Sequence, residues 1–140
     1  MSKQFRHILK TSPFEIDRLP KFLGEAFEGI NVKKDYFNML LLAITEAVNN
    51  AIVHGNKSNI TKKVILELTV TDSTIKIDVT DEGEGFDIEK IPDPTLPENL
   101  LREHGRGVYI MKHFVDEMYY TKSKEGNSLT LISEFKLEDE

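Results

Sequence analysis

The stretch TEAVNNAIVHGN, residues 45–56, carries a carboxylate and an amide inside an apolar helical run. Glu46 and Asn50 stand four positions apart, so at about 3.6 residues per turn they lie on one edge of a helix. Buried polar groups lose about 1–3 kcal/mol each unless they find partners. A bound polar ligand would supply partners; alternatively, both side chains reach solvent or satisfy each other. Their apolar neighbours on that edge are Met39, Ala43 and Val53.

A second stretch whose residues could bind a ligand is DEGEGF, residues 81–86, at the end of a predicted strand. Gly83 and Gly85 have no β-carbon, so backbone there can approach a ligand closely. The carboxylate of Asp81 can accept a hydrogen bond from an exocyclic amine. The alternative is an ordinary turn that contains glycine.

The third stretch, GRGVYIM at 105–111, places two glycines where a helix begins. Free backbone N–H groups and the positive end of the helix dipole favour phosphate at such a position. Glycine can also begin a helix with no ligand present. The stretch matches neither a Walker A loop nor a dinucleotide-binding fingerprint.

Hydrophobic periodicity predicts the elements that hold these stretches. The first helix is predicted from residue 12 to about Gly29, and Pro20 divides it. The second helix is predicted from about Lys33 to His54, and a third begins at Val108. The second helix should end in a left-handed cap at Gly55 or Asn56. Its buried stripe is predicted to comprise Leu40, Ile44, Ala47, Val48 and Ala51.

Alternating apolar residues predict the strands of an antiparallel sheet. Residues 64–70 and 74–80 form a hairpin around Asp72 and Ser73 in this prediction. The other predicted strands cover 4–10, about 117–123 and 127–137. The order of elements indicates the α+β class: a two-layer α/β sandwich with three main helices on one face of a mostly antiparallel sheet.

The composition narrows the possible class of protein and the compartment in which it is expected. A chain of 140 residues suits one domain over 1–140, and the lack of cysteine excludes disulfides and thiolate sites. The net charge of −6 argues against direct nucleic-acid binding. No apolar stretch approaches the roughly 20 residues of a membrane span, and no secretory signal is visible. We therefore expect a cytoplasmic protein without membrane association. The four histidines lack zinc-ligand spacing.

Taken in chain order, the three stretches resemble the N, G1 and G2 boxes of the GHKL ATPases. The predicted order of elements is similar to the Bergerat ATP-binding fold of that superfamily. EAVNNAIVHGN and GRGVYIMKHFVDEM are similar to the corresponding segments of the anti-sigma factor serine kinases of bacterial partner-switching pathways. The resemblance covers nearly the whole chain and implies ATP and Mg²⁺ as cofactors.

The resemblance assigns roles to the helix edge and to the adenine pocket. Asn50 would coordinate Mg²⁺ through its side-chain oxygen, and Glu46 would be the general base of phosphoryl transfer. His54 extends this edge toward the phosphates, or alternatively interacts with the negative end of the helix dipole. The adenine-binding residues implied in this way are Asp81, Gly83, Gly85 and, through water, Ser128 after Gly126.

The resemblance implies that the phosphates of ATP bind at the third stretch, residues 105–111. Gly105 and Gly107 would present backbone donors, beside Arg106 and Val108, under a lid formed by residues of about 87–104. Arg106 would neutralise charge on the transferred phosphate, with Arg102 as the alternative.

The function implied is an ATP-dependent protein serine kinase that sequesters a sigma factor and phosphorylates an anti-sigma factor antagonist. The resemblance also implies a homodimer. The alternative is an ATP-binding module that sequesters a protein partner without phosphotransfer. Retention of Glu46 favours the kinase, because a binding module has no chemical use for a base there.

Overall fold

The three-dimensional structure is a computed structural model that describes residues 2–83, 109, 111–123 and 126–138. Five strands form one sheet in the order β1-β2-β3-β5-β4, and all four pairings are antiparallel. The strands are β1 (Lys3–Lys10), β2 (Lys63–Val70), β3 (Thr74–Asp81), β4 (Glu117–Lys122) and β5 (Asn127–Glu134). The predicted two-layer α+β architecture is confirmed.

Buried and more exposed residues alternate along the central strands, so the sheet has an inner face and an outer face. Inward residues of β2 and β3 are buried, and the next residues along each strand are more exposed. The outer face carries polar cross-strand pairs, including Thr130 Oγ1, which donates to Asp78 Oδ1 at 2.6 Å. The buried inward residues of these two strands are Val64, Leu66, Leu68, Val70, Ile75, Ile77, Val79 and Asp81. Asp81 is thus a carboxylate in an otherwise apolar row.

The first helical region divides near Pro20, as predicted. A 3₁₀ helix, Pro13–Arg18, is followed by α1, Leu19–Ala26. Proline fits at the start of α1 because the first turn of a helix needs no intrahelical N–H bond. The prediction that this helix reaches Gly29 was wrong, since α1 ends at Ala26.

Helix α2 spans Lys34–Asn50 and continues into one π-helical turn, Ala51–Gly55. The N–H of Asn56 donates to the carbonyl of Ala51 at 2.7 Å, which closes the wider turn. The predicted left-handed cap at Gly55 or Asn56 was wrong: Asn56 has φ −82°, and positive φ falls at Lys57 and Ser58 instead. The side chain of Asn56 is buried, and its hydrogen bonds go to Thr11, Lys63 and Glu82.

The core lies between the helices and the sheet. Leu40, Ile44 and Val48 of α2 pack in it, and Met111 joins them from a third helical segment, which comprises Tyr109 and Met111–Phe114. The predicted stripe of α2 is confirmed, because all five of its members are buried. After β5 the chain leaves the sheet, and Leu137 pairs with Val32, so the last strand is shorter than predicted.

The expectation about apolar stretches needs correction. Residues Lys34–Gly55 form a helix of 22 residues with hydropathy 1.3, which by length and composition could cross a membrane. Half of the tested window is buried inside the protein. The apolar character of this helix is explained by its central place in the core.

Candidate nucleotide-binding site

The site is centred on Asp81, the last residue of β3, whose exposed fraction is only 3%. Its Oδ1 accepts hydrogen bonds from the backbone N–H of Gly83 at 2.8 Å and from Nδ2 of Asn127 at 3.2 Å. A buried carboxylate needs such donors to offset its desolvation. They hold the side chain in one orientation at the end of the sheet.

Glycines allow the end of α2 to meet the end of β3. A β-carbon on residue 55 would overlap the carboxylate of Asp81, and one on residue 83 would overlap the carbonyl of Gly55. Only glycine permits this approach at either position. The structure therefore brings the first and second predicted stretches into direct contact. Gly55 was predicted only as a helix cap, and its contact with Asp81 was missed.

Hydrogen bonds of Asn56 connect the junction, the contact of Gly55 with Asp81 and Gly83, to the rest of the sheet. Asn56 is 1% exposed, and its Nδ2 donates to Thr11 Oγ1 at 2.9 Å and to the carbonyl of Lys63 at 3.0 Å. Its Oδ1 accepts from the N–H of Glu82 at 2.8 Å. One amide thus links α2 to the end of β1, the start of β2 and the residue after β3. All of these contacts depend on tertiary structure.

The polar edge of α2 leads into the same junction. Asn50 is 2% exposed and immediately precedes the π turn, while Glu46, one turn earlier, is partly buried. His54 is also partly buried, and burial lowers its pKa from the ordinary value. A carboxylate, an amide and an imidazole therefore stand along the helix that ends against Asp81.

The donor set fits a magnesium nucleotide better than a metal held by protein alone. Within the described residues, no group of three or more His, Asp or Glu side chains could hold a metal ion. An amide oxygen on Asn50 would serve as one hard ligand, and phosphate oxygens would complete the coordination of Mg²⁺.

The family assignment follows from this geometry and from the sequence match. Residues 11–133 match the histidine kinase-like ATPase domain. The chain belongs to this family. Over 123 residues, 83% of this chain and 77% of the relative, it is 34% identical to a serine-protein kinase RsbW of Staphylococcus epidermidis.

Other relatives agree with the assignment. The chain is 35% identical over 95 residues to an anti-sigma F factor of Bacillus velezensis, and the alignment spans 65% of this chain and 64% of that protein. Among solved structures, the RsbU and RsbW domains of a Mycobacterium tuberculosis protein align with a TM-score of 0.68 at 15% identity, covering 98% of this chain and 35% of that one. The mycobacterial sensor histidine kinase MprB aligns with a TM-score of 0.57 at 15% identity, covering 96% of this chain and all of that one. At such identities the structures support the fold alone.

Within this histidine kinase-like ATPase domain, Asn127 rather than Ser128 contacts Asp81. Asn127 pairs with Asp81 across β3 and β5, whereas Ser128 lies on the outer face, where its Oγ is 2.7 Å from Thr80 Oγ1. Successive strand residues point to opposite faces, so a shift of one position changes the face. The side chain of Ser128 therefore lies on the opposite face from Asp81, and its water-mediated contact with adenine stays a prediction. The alternation of β5 was the signal that could have identified Asn127.

The remaining predicted positions lie outside the described residues. They are Gly85, Arg102, Gly105, Arg106, Gly107 and Val108. Their phosphate-binding roles remain predictions, as does the choice between the two arginines.

Proposed function

We propose that this chain is an ATP-dependent protein serine kinase and anti-sigma factor that phosphorylates an anti-sigma factor antagonist. The observation that carries the proposal is the junction of Asp81 with Gly55, which sets a buried carboxylate beside the helix of Glu46 and Asn50. Membership of the family supports nucleotide binding. The names of the relatives, serine-protein kinase RsbW and anti-sigma F factor, support the substrate and partner classes.

In this proposal, Asp81 binds the amino group of adenine, and Gly83 and Gly85 let the backbone approach the ring. Asn50 holds Mg²⁺, and His54 extends the same edge. When bound, the magnesium nucleotide supplies the phosphoryl group and offsets charge on it. Gly105, Gly107 and Val108 contribute the phosphate-binding segment, with Arg106 as the neutralising cation.

Glu46 is the proposed general base. It accepts the proton of the attacking serine hydroxyl while the new bond to phosphorus forms and the bond between phosphorus and the nucleotide breaks. Its partly buried position, one turn before Asn50, suits a group that must reach both the metal site and an incoming protein. The proposed partners are a sigma factor and a serine-bearing antagonist, bound in the cytoplasm by a homodimer.

The decisive experiment is incubation of the purified protein with labelled ATP, Mg²⁺ and candidate antagonists from the same genome. We expect Glu46→Gln to retain ATP binding and to lower labelling by about 100-fold or more. A matched control is Glu67→Gln on the exposed outer face of β2, which should label normally.

Two outcomes would contradict parts of the proposal. Undiminished labelling by Glu46→Gln would remove that residue from the mechanism. ATP binding without transfer to any candidate antagonist would favour the binding module. Absence of ATP binding would reject both functions.

A further inference from the structure

A small pocket lies at the end of the sheet remote from the nucleotide site. Ser133 lines it and pairs with Ile75, six positions before Asp81 along β3. At about 3.3 Å per residue, Ser133 therefore lies about 20 Å from Asp81. The cavity has a volume of about 240 Å³, below the roughly 300–1,000 Å³ of pockets for drug-sized ligands. Its size suits a small metabolite and excludes a nucleotide.

Two buried hydroxyl groups line the pocket. Tyr36 is 5% exposed and Ser133 is 2% exposed, and their hydroxyl oxygens are 2.8 Å apart. Burial raises the pKa of Tyr36 above its ordinary value, the hydrogen bond with Ser133 opposes this shift, and the charge of Asp116 adds to it. The phenol is therefore protonated at neutral pH. One hydrogen bond joins the two hydroxyls, so each oxygen keeps the capacity for a further bond to a ligand.

Apolar side chains form another part of the wall. Met39 is 41% exposed, and the ring of Phe114 is tilted against that of Tyr36 with centroids 5.7 Å apart. A thioether and an aromatic ring beside an open cavity leave apolar surface in contact with water. An aliphatic group of a ligand would remove that surface from water, which is favourable.

Charged side chains of both signs also line the pocket. Lys33 and Lys136 supply two ammonium groups, and Asp35 and Asp116 supply two carboxylates. All four residues are exposed, and no ion pair joins any of them to another described residue. The N–H of Glu134 donates to Asp116 Oδ2 at 2.6 Å, which holds this carboxylate against the end of β5. The charges thus stand beside one cavity without pairing with each other.

Such a charge distribution disfavours a ligand that carries charge of one sign. The carboxylates repel an anion, and the ammonium groups repel a cation. A small molecule that carries both a carboxylate and an ammonium group can pair with both sets.

We propose that this pocket binds a free α-amino acid with an aliphatic side chain. Its carboxylate pairs with Lys33 and Lys136, and its ammonium group pairs with Asp116. Its side chain covers the apolar surface of Met39 and Phe114. The proposal is independent of the nucleotide site and adds a second ligand to the protein.

The test is calorimetric titration of the purified protein with L-leucine in the absence of nucleotide. We expect a dissociation constant of about 1 mM or lower. Isoamylamine is leucine without the carboxylate, and isocaproate is leucine without the ammonium group. Each should bind about tenfold more weakly or worse, because each lacks one of the charged hydrogen-bonding groups.

Two substitutions separate the two ends of the ligand. Lys33→Gln should weaken the binding of leucine and isocaproate and should not weaken that of isoamylamine. Asp116→Asn should weaken the binding of leucine and isoamylamine and should not weaken that of isocaproate. The matched control is Lys34→Gln, which changes the exposed neighbour of Lys33 outside the pocket and should keep all three constants. Thermal unfolding without ligand shows whether each variant is folded, and Lys33→Gln keeps the test available if Asp116→Asn is not.

Three outcomes would overturn the inference. They are no heat with L-leucine at about 10 mM, isocaproate or isoamylamine that binds as tightly as leucine, and an equal loss for all three ligands in a folded Asp116→Asn variant. The last of these would show that the carboxylate has a purely structural role. Because the titrations contain no nucleotide, none of these results bears on the proposed function, and a failure to bind ATP would leave this inference standing.

Discussion

Gly55 lies against Asp81 so closely that a β-carbon on residue 55 would overlap the carboxylate. This contact joins the helix that carries Glu46 and Asn50 to the strand end that carries the proposed adenine acceptor. In the sequence, the hairpin of β2 and β3 separates the two stretches. Their geometry in the folded protein thus depends on one residue without a side chain.

Gly55→Ala should weaken both the fold and nucleotide binding. The added methyl group must displace Asp81 or the π turn, and overpacking of this kind costs about 1–3 kcal/mol of unfolding free energy. Denaturant unfolding and ATP titration would measure the two effects. Gly24→Ala is the matched control, because it lies exposed in α1 with nothing within 4 Å of the new β-carbon. That change should raise stability by about 0.5–1 kcal/mol. Equal behaviour of the two variants would contradict the close contact.

Asn56→Ala should destabilise the protein by about 1–3 kcal/mol, because it removes the hydrogen bonds of a buried amide to groups of three other segments. These groups are the hydroxyl of Thr11, the carbonyl of Lys63 and the N–H of Glu82. Asn59→Ala provides the comparison, since Asn59 is exposed and its side-chain oxygen accepts from the nearby Thr61. We expect that control to change the unfolding free energy by less than about 0.5 kcal/mol. A similar small effect of Asn56→Ala would show that water replaces the network.

The local pattern of apolar residues predicted which helices and strands form better than it predicted where they end. The hairpin of β2 and β3 was predicted to within one residue at each strand end, because one face of the sheet is buried and its alternation is strong. The π turn after Asn50 has no such local signal. It is stabilised by contacts of Asn56 with residues 45 and 26 positions away in the sequence, so periodicity predicted an ordinary helix end.

Residue type and local context were enough to predict three of the candidate site residues. Glu46 and Asn50 were predicted as site residues because polar side chains in apolar surroundings need partners, and Asp81 was predicted because it ends a strand just before two glycines. Asn127 was missed because its importance depends on strand register, which places it opposite Asp81. The predicted residue, Ser128, is the next one along β5, and in a strand a step of one residue changes the face.

His7 should make the protein less stable as the pH falls below neutral. Its ring stacks on Phe22 with centroids 3.6 Å apart, and Nε2 is buried with no hydrogen-bond partner in the described structure. Burial lowers the pKa of His7 from 6.5, while Glu25 opposes and Arg18 assists the shift. Above pH 6.5 the folded and unfolded states both hold neutral His7, so its contribution is complete. Between 6.5 and the lower pKa of the folded state, the unfolded state binds more protons and stability is lost.

His7→Phe keeps the aromatic stack and removes this titration. We therefore expect a smaller decrease in unfolding free energy between pH 7 and pH 5, measured by denaturant titration at each pH. His54, whose pKa is also lowered by burial, should leave a residual decrease of the same sign. An unchanged slope in His7→Phe would contradict the role given to His7.

Asn50→Ala should make ATP affinity insensitive to Mg²⁺. If the side-chain oxygen of Asn50 is a ligand of the ion, its loss should reduce ATP affinity by about tenfold or more in Mg²⁺ and change it little in EDTA. Asn49→Ala is the matched control, because the neighbouring residue points about 100° away around the helix and is only partly buried. Asn50 is itself buried, so unfolding measurements must accompany the titrations. An equal loss of affinity with and without Mg²⁺ would assign Asn50 to the architecture of the site and leave the metal to be held by other groups.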